Sequence, residues 1–234
     1  MAGYTALLML AALLPPLIMI VRIYRMDTIE KESPKLIRAL FLFGVLSAIP
    51  AALLEIVAEP AIMRVSLSME MFYLLDNFVG TALIEEGCKY VFLKKRSWNS
   101  PEFNYRFDGV VYAVTVSLGF AAIENIIYVM EYGLSNALVR AVISIPGHCI
   151  FGIFMGYYYA LAKADEVKED HDAAKRHLLL AVLVPTVLHG IFDYLLSTEQ
   201  TVLNALFWIF ILVLDVAAIR AVRRFSAEDA PLWS

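Results

Sequence analysis

Long apolar runs alternate along this chain with short polar segments that carry most of its charge. Seven of the runs are long enough to cross the roughly 30 Å hydrocarbon core of a bilayer, which requires about 20 helical residues. They lie at about residues 3–21, 37–58, 70–93, 109–130, 136–162, 178–197 and 202–219. Because backbone polar groups inside a membrane must bond internally, runs of this length predict helices. The pattern therefore predicts an all-α, polytopic transmembrane bundle of about seven spans.

Composition supports the membrane class. Of the 234 residues, 61% are apolar and 18% are charged, and the mean hydropathy is +0.71. These values lie outside the usual range of soluble domains. The formal net charge of -4 gives no indication of a nucleic-acid partner. Short connectors, and no internal repeat that we can see, predict a single domain over residues 1–234.

Basic residues concentrate on one side of the predicted bundle. Sixteen of the 19 Lys and Arg residues follow the first, third, fifth or seventh run. By the positive-inside rule, the amino terminus is expected outside and the carboxyl terminus in the cytoplasm. Of the other three basic residues, Lys89 lies within the third run, and Arg64 and Arg140 lie toward the outer face.

Ionisable side chains interrupt several of the apolar runs. A charge near the bilayer centre costs about 2.5–3.5 kcal/mol on insertion scales, so such residues usually face a functional interior. Glu55 and Asp215 lie near the ends of their runs and are expected to be interfacial. Counted at about 1.5 Å per residue from the cytoplasmic charges, the others overlap in depth. The predicted polar layer comprises Glu85, Glu86, Glu124, His148, His189 and Asp193.

Spacing along the helices indicates which of these groups can cooperate. Lys89 lies four residues after Glu85 and three after Glu86, so it can neutralise part of their charge. Adjacent Glu residues point about 100° apart on a helix, which leaves at least one carboxylate for other work. His189 and Asp193 are one turn apart, so the carboxylate can accept the imidazole N–H. A purely structural ion pair remains the alternative for the first group.

Two carboxylates and two imidazoles in one layer suit the hydrolysis of an amide bond. One group takes a proton from water, another gives a proton to the leaving nitrogen, and a third donor stabilises the oxyanion. Zinc could also take part, because His148, His189 and Glu85 would form a two-His, one-carboxylate set with an open fourth position. The H-E-x-x-H zinc signature is absent from the sequence. Spacing alone leaves metal-bound and metal-free water open.

Five motifs follow one another through the third to sixth runs. They are L-I-E-E-G-C-K-Y (83–90), F-D-G-V-V-Y-A (107–113), G-F-A-A-I-E-N-I-I-Y (119–128), P-G-H (146–148) and L-H-G-I-F-D-Y (188–194). This series, over about residues 80–197, resembles the PrsW family of bacterial intramembrane proteases. More distantly it is similar to the CAAX prenyl proteases and the bacteriocin-immunity proteins. The resemblance implies a multi-pass protein of the bacterial cell membrane that cuts a single-pass anti-sigma factor, as a site-1 protease, near the outer face.

The resemblance also implies roles for individual residues. Glu85 would activate water together with His148, and Glu86 would orient them. His189, followed by Asp193, would lie on the oxyanion side. Glu124 and Asn125 match the E-N motif of the PrsW-like branch and would support these residues, although interhelical hydrogen bonding is an equally good interpretation of this pair. The supporting role of Lys89 follows from its spacing to Glu85 and Glu86 instead.

Two other classes of function remain open at this stage. Intramembrane Glu, His and Asp also build the proton relays of transporters and channels. The single polar layer and the apparent lack of a repeated half argue against that class. A non-catalytic membrane scaffold that binds a partner helix is the second alternative, and a Glu85→Gln variant would distinguish it from a protease.

Overall fold

The computed structural model describes residues 2–197 and 200–233 of the chain, and the described residues confirm the all-α prediction. The elements are α1 (Ala2–Met26), α2 (Pro34–Val65), α3 (Met69–Leu75), a π-helical segment (Asp76–Leu83), α4 (Ile84–Ser97), α5 (Arg106–Tyr132), α6 (Leu134–Val142), α7 (Ser144–Val167), α8 (His171–Ser197) and α9 (Thr201–Ala227).

Six helical stretches of the described chain are long and apolar enough to cross a membrane. They correspond to six of the seven predicted spans. The predicted third span corresponds to three consecutive elements, which are α3, the π-helical segment and α4. These elements are not among the six stretches, but they pack between α2 and α8. The predicted fifth span is divided between α6 and α7 at Ile143. These findings support a polytopic helical bundle.

Serine caps set the start of two helices. Ser33 precedes α2, and its Oγ accepts a hydrogen bond from the backbone N–H of Leu36 at 3.1 Å. Pro34 then occupies the first turn, where its missing N–H leaves no bond unmade. Ser68 plays the same part for α3, with its Oγ 3.2 Å from the backbone nitrogen of Met71. Such side-chain oxygens satisfy donors that the first helical turn leaves free.

Helix α5 lies at the centre of the bundle, because almost every residue from Phe107 to Ala122 is buried. Glycine permits the close approach of its neighbours. A Cβ on Gly156 of α7 would collide with the backbone oxygen of Gly109, and a Cβ on Gly44 of α2 would collide with that of Val116. Gly156 therefore permits close packing of α7 against α5. This packing holds α5 rigidly against both partners and so positions the polar residues farther along it.

Two connecting segments and the segment after α9 meet at one end of the bundle and form what we call the cytoplasmic cap, residues 27–33, 98–105 and 228–232. Glu102 accepts hydrogen bonds from the backbone nitrogen of Ser33 at 2.7 Å and from its hydroxyl at 3.0 Å. The backbone nitrogen of Leu232 donates to the carbonyl of Asn104 at 2.9 Å. These are segments that the positive-inside rule assigns to the cytoplasmic side.

Candidate active site

Polar side chains from four helices meet in one layer inside the bundle, as the sequence predicts. Helix α4 contributes the first of them, and it begins directly after the π-helical segment. A π-helical turn is wider than an α-helical turn and is frequent at functional sites. The residues of the layer are Glu85, Glu86, Lys89, Glu124, Asn125, His148, His189 and Asp193, of which Glu124 and Asp193 are only partly buried.

Lys89 is at the centre of this layer. Its ammonium nitrogen is 2.9 Å from Glu85 Oε2 and 2.7 Å from Glu86 Oε1, and Lys89 has no exposed surface. The same nitrogen is 3.2 Å from His148 Nδ1 and lies 4.1 Å from the centre of the Phe120 ring. A lysine ammonium can only donate, so His148 Nδ1 accepts and the neutral ring carries its proton on Nε2. The supporting role predicted for Lys89 therefore has a direct structural counterpart.

The E-N pair of α5 connects His148 to the rest of the bundle. His148 Nε2 is 2.9 Å from Glu124 Oε2, and the second oxygen of Glu124 forms an ion pair with Arg140 Nη2 at 3.1 Å. Arg140 Nε donates to Asn125 Oδ1 at 3.0 Å. The amide nitrogen of Asn125 then donates to the carbonyl of Ala12 at 2.8 Å. Glu124 thus contacts a candidate catalytic residue directly, whereas Asn125 acts through interhelical bonds.

His189 lies between two carboxylates. Its Nδ1 is 3.0 Å from Glu86 Oε1, and its Nε2 is 3.1 Å from Asp193 Oδ2. The ring stacks on Phe151 at 4.7 Å between centres and is 5.5 Å from the His148 ring. Because both nitrogens face carboxylate oxygens, this environment can satisfy both N–H groups of an imidazolium. The pairing of His189 with Asp193 across one helical turn is present as expected.

A cavity of about 520 Å³ adjoins the layer. Glu85, Glu124, His148, His189 and Asp193 are among its lining residues, together with Arg140. Glu86 and Lys89, in contrast, have no exposed surface. Water in the cavity can therefore reach Glu85, while Glu86 is sealed behind it.

The expected interfacial position of Glu55 stays a prediction, but the structure adds a contact with the cavity. Helix α2 continues to Val65, so Glu55 lies ten residues, or about 15 Å, before the end of the helix. Its side chain lines the cavity. The sequence placed the end of this span near residue 58, seven residues before the end of the helix.

Arg140 is a residue of the candidate site that the sequence interpretation missed. The sequence interpretation counted it only as a charge toward the outer face. In the structure Arg140 is 8% exposed and pairs with Glu124. Its position within an apolar run could have indicated this role, because an arginine there needs a partner.

One group of the polar layer could bring metal ligands together. Within the described chain, single donor atoms of Glu85, Glu86 and His148 lie within 4.8 Å of one another. This group differs from the predicted zinc set by having Glu86 in place of His189. However, the Lys89 ammonium is within 3.2 Å of a donor atom of each of the three residues. A metal cation there would meet a buried positive charge at close range and strong repulsion. As they are arranged, these residues do not fit a metal ion.

Comparison with known proteins identifies a protease family, whose description as metalloproteases differs from the metal-free arrangement of these residues. The sequence model of the PrsW family intramembrane metalloprotease matches residues 32–219. The chain is 31% identical to a Protease PrsW of Geobacillus kaustophilus, over 94% of this chain and 93% of the relative. It is 34% identical to a Protease PrsW of Oceanobacillus iheyensis, over 80% and 81% of the two chains. A Protease PrsW of Shouchella clausii is 32% identical, over 94% and 98%.

No solved structure matches the chain. The family model and the relatives nevertheless cover most of its length, including all the residues of the polar layer. The chain therefore belongs to the PrsW family of intramembrane proteases and is a peptidase of the bacterial membrane.

Proposed function

We propose that this chain cleaves a peptide bond of a single-pass membrane protein with a water molecule activated by Glu85, without a metal ion. The observation that carries the proposal is that only one carboxylate of the acidic pair, Glu85, is accessible from the cavity. Glu85 lines the cavity beside His148, whereas Glu86 and the lysine that holds both carboxylates are sealed from it. A general base must reach the water from which it takes a proton.

The reaction begins when a peptide carbonyl enters the cavity. Glu85 accepts a proton from a water molecule in the cavity, and the water oxygen attacks the carbonyl carbon. Glu85 then passes that proton to the leaving nitrogen as the carbon–nitrogen bond breaks. His148 lines the cavity beside this water and is held in place by Lys89 and Glu124. Before substrate binds, the ring nitrogens of His189 bond Glu86 at 3.0 Å and Asp193 at 3.1 Å. In the reaction the Nε2–H of His189 exchanges Asp193 for the oxyanion, while Glu86 keeps the ring oriented.

Lys89 supplies the positive charge that a metal would bring to such a site. Its ammonium donates to Glu85 Oε2 and so fixes the direction of the carboxylate, and Glu85 lines the cavity. Glu86 balances this charge and links Lys89 to His189. The proposed chemistry needs only side chains of this chain and water.

The position of the cavity supports cleavage toward the outer face. Its lining includes Glu55 on α2, Tyr128 on α5 and Ser197 on α8, each in the half of its helix that the distribution of Lys and Arg assigns to the outside. A single-pass substrate reaches such a cavity laterally and presents its outer segment there. The anti-sigma factor as substrate follows from the resemblance to the PrsW family.

Cleavage of a defined substrate tests this proposal. We would reconstitute the purified chain in liposomes with a single-pass anti-sigma factor from the same bacterium and identify the cleaved bond by mass spectrometry. The wild-type chain is compared with Glu85→Gln and with Glu131→Gln, a matched control at an exposed position of α5. We expect Glu85→Gln to bind substrate but not cut it, and Glu131→Gln to cut at the wild-type rate.

A chelator arm separates the two kinds of activated water. The proposal predicts that a strong zinc chelator leaves the rate unchanged. Loss of cutting on chelation, with recovery after zinc is added back, would replace the metal-free mechanism with a metal-dependent one. A folded wild-type preparation that binds the substrate and never cuts it would support the non-catalytic scaffold instead of the protease. Proton flux into the liposomes would support a transporter.

A further inference from the structure

A second group of buried carboxylates lies in the cytoplasmic cap. Asp27 follows α1, Glu32 precedes α2, and Asp108 is in the first turn of α5, and they are 2%, 4% and 0% exposed. One carboxylate oxygen from each lies within 4.8 Å of the other two. Asp108 is sixteen residues before Glu124 on α5, or about 24 Å along the helix. The group is therefore separate from the candidate active site.

Hydrogen bonds fix one side of this group. Asp108 Oδ2 accepts from the backbone nitrogens of Asn104 at 2.9 Å and Tyr105 at 2.6 Å, which caps α5. Glu32 Oε2 accepts from the Tyr112 hydroxyl at 2.7 Å. Both carboxylates are thus held in place by donors from the protein, as ligands of a built site would be.

The other side of the group lacks partners. Asp27 Oδ2 and Asp108 Oδ1 are buried and have no hydrogen-bond partner within the described part of the chain. A buried carboxylate oxygen is normally satisfied by a donor, a water molecule or a cation. Glu32 and Asp108 can share a proton between their carboxyl groups, but Asp27 Oδ2 is left without a donor, which indicates that something from outside the chain binds there.

The charge of the group is not balanced by basic side chains. Among the described residues, no Lys or Arg forms an ion pair with Asp27, Glu32 or Asp108. Lys31 is close, but its ammonium donates to the backbone carbonyls of Tyr24 and Asp27. A bound cation, or a shared proton, is needed.

We propose that Asp27, Glu32 and Asp108 bind a calcium ion. All three donors are carboxylate oxygens, which hard divalent cations prefer and which do not favour zinc or copper. Oxygens within 4.8 Å of one another need only small side-chain movements to lie about 2.3–2.6 Å from one Ca²⁺, which accepts irregular geometry. Mg²⁺ demands shorter bonds in a regular octahedron. The ion joins the α1–α2 connection to the start of α5 and so fastens the cytoplasmic cap. This proposal is independent of the proposed protease mechanism.

Direct binding to the purified full chain tests the site. The protein in detergent is freed of metal with a chelator and then titrated calorimetrically with CaCl₂ and, separately, with MgCl₂. We expect one saturable Ca²⁺ site, weaker Mg²⁺ binding, and a rise in the thermal unfolding temperature with Ca²⁺. Asp27→Asn and Glu32→Gln should each weaken Ca²⁺ binding at least tenfold. The matched control is Glu30→Gln, an exposed carboxylate in the same segment, which should bind as the wild type does.

Terbium luminescence tests the site on the wild-type chain alone, so it still gives an answer if the variants do not fold. Tb³⁺ replaces Ca²⁺ and is excited through a nearby tyrosine, and the Tyr112 hydroxyl contacts Glu32 directly. We expect tyrosine-sensitised emission from the wild-type chain that Ca²⁺ displaces. Wild-type protein without a saturable Ca²⁺ isotherm, or without displaceable emission, would overturn the proposal in favour of a shared proton. Equal affinity for Mg²⁺, or Ca²⁺ binding that both variants retain, contradicts it as well.

Discussion

Replacing Lys89 with methionine tests the electrostatic core of the candidate site. The substitution keeps an unbranched side chain that is one atom shorter, and it removes the ammonium that holds Glu85 Oε2 at 2.9 Å and Glu86 Oε1 at 2.7 Å. Removing one partner of a buried ion pair costs about 3–5 kcal/mol, because the remaining charge stays buried without compensation. Glu85 can recover part of this loss from cavity water, whereas Glu86 has no exposed surface. We therefore expect a loss of about 3–5 kcal/mol in unfolding free energy, caused mainly by Glu86.

The double variant Lys89→Met/Glu86→Gln isolates that cause. It removes the stranded charge together with its partner, so most of the lost stability should return. Cleavage should remain impaired in both variants, since Glu85 is no longer oriented by the ammonium. Reversible unfolding in mixed micelles measures stability, and cutting of the liposome substrate measures activity.

Two results would refute this reasoning. The first is a Lys89→Met protein whose unfolding free energy lies within about 1 kcal/mol of the wild type. That result would mean that the buried Glu86 carboxylate costs little without its lysine partner. The second is a Lys89→Met protein that binds zinc more tightly and still cuts. That result would mean that Glu85, Glu86 and His148 form a metal site from which lysine had only excluded the ion.

Two further predictions concern residues that act through packing or orientation. Arg140→Met should lower kcat about 10- to 100-fold with little change in KM, because Glu124 loses its ion pair at 3.1 Å and no longer holds His148 in place. The magnitude is taken from residues that orient metal ligands in other enzymes. Arg140→Lys should recover part of the rate, and equal rates for the wild type and both variants would contradict the positioning role. Gly156→Ala should destabilise the fold by about 1–3 kcal/mol, because the new Cβ meets the backbone of Gly109. The control Gly87→Ala, whose Cβ meets nothing within 4 Å, should be neutral or stabilising in thermal unfolding.

Several features of this protein could be predicted because they depend on local pattern. A span of about 20 apolar residues has to be helical in lipid, so the helices and their approximate bounds follow from the sequence. Charges are costly in lipid wherever the helices pack, so Glu85, His148 and His189 could be identified as interior groups before their neighbours were known. One-turn spacing likewise predicted the pairs of Lys89 with Glu85 and of His189 with Asp193, which the structure contains.

Other features depended on which helix faces which, and only the tertiary structure decided them. The contacts of Lys89 with His148 and of Arg140 with Glu124 join residues 59 and 16 positions apart. Hydropathy records only that a position is apolar or charged, and it carries no information on the rotation of one helix against another. For the same reason the cavity, the sealed position of Glu86 and the group of Asp27 with Glu32 and Asp108 could not be read from spacing. Local periodicity determined the helices of this protein, and interhelical packing determined which of their charges meet.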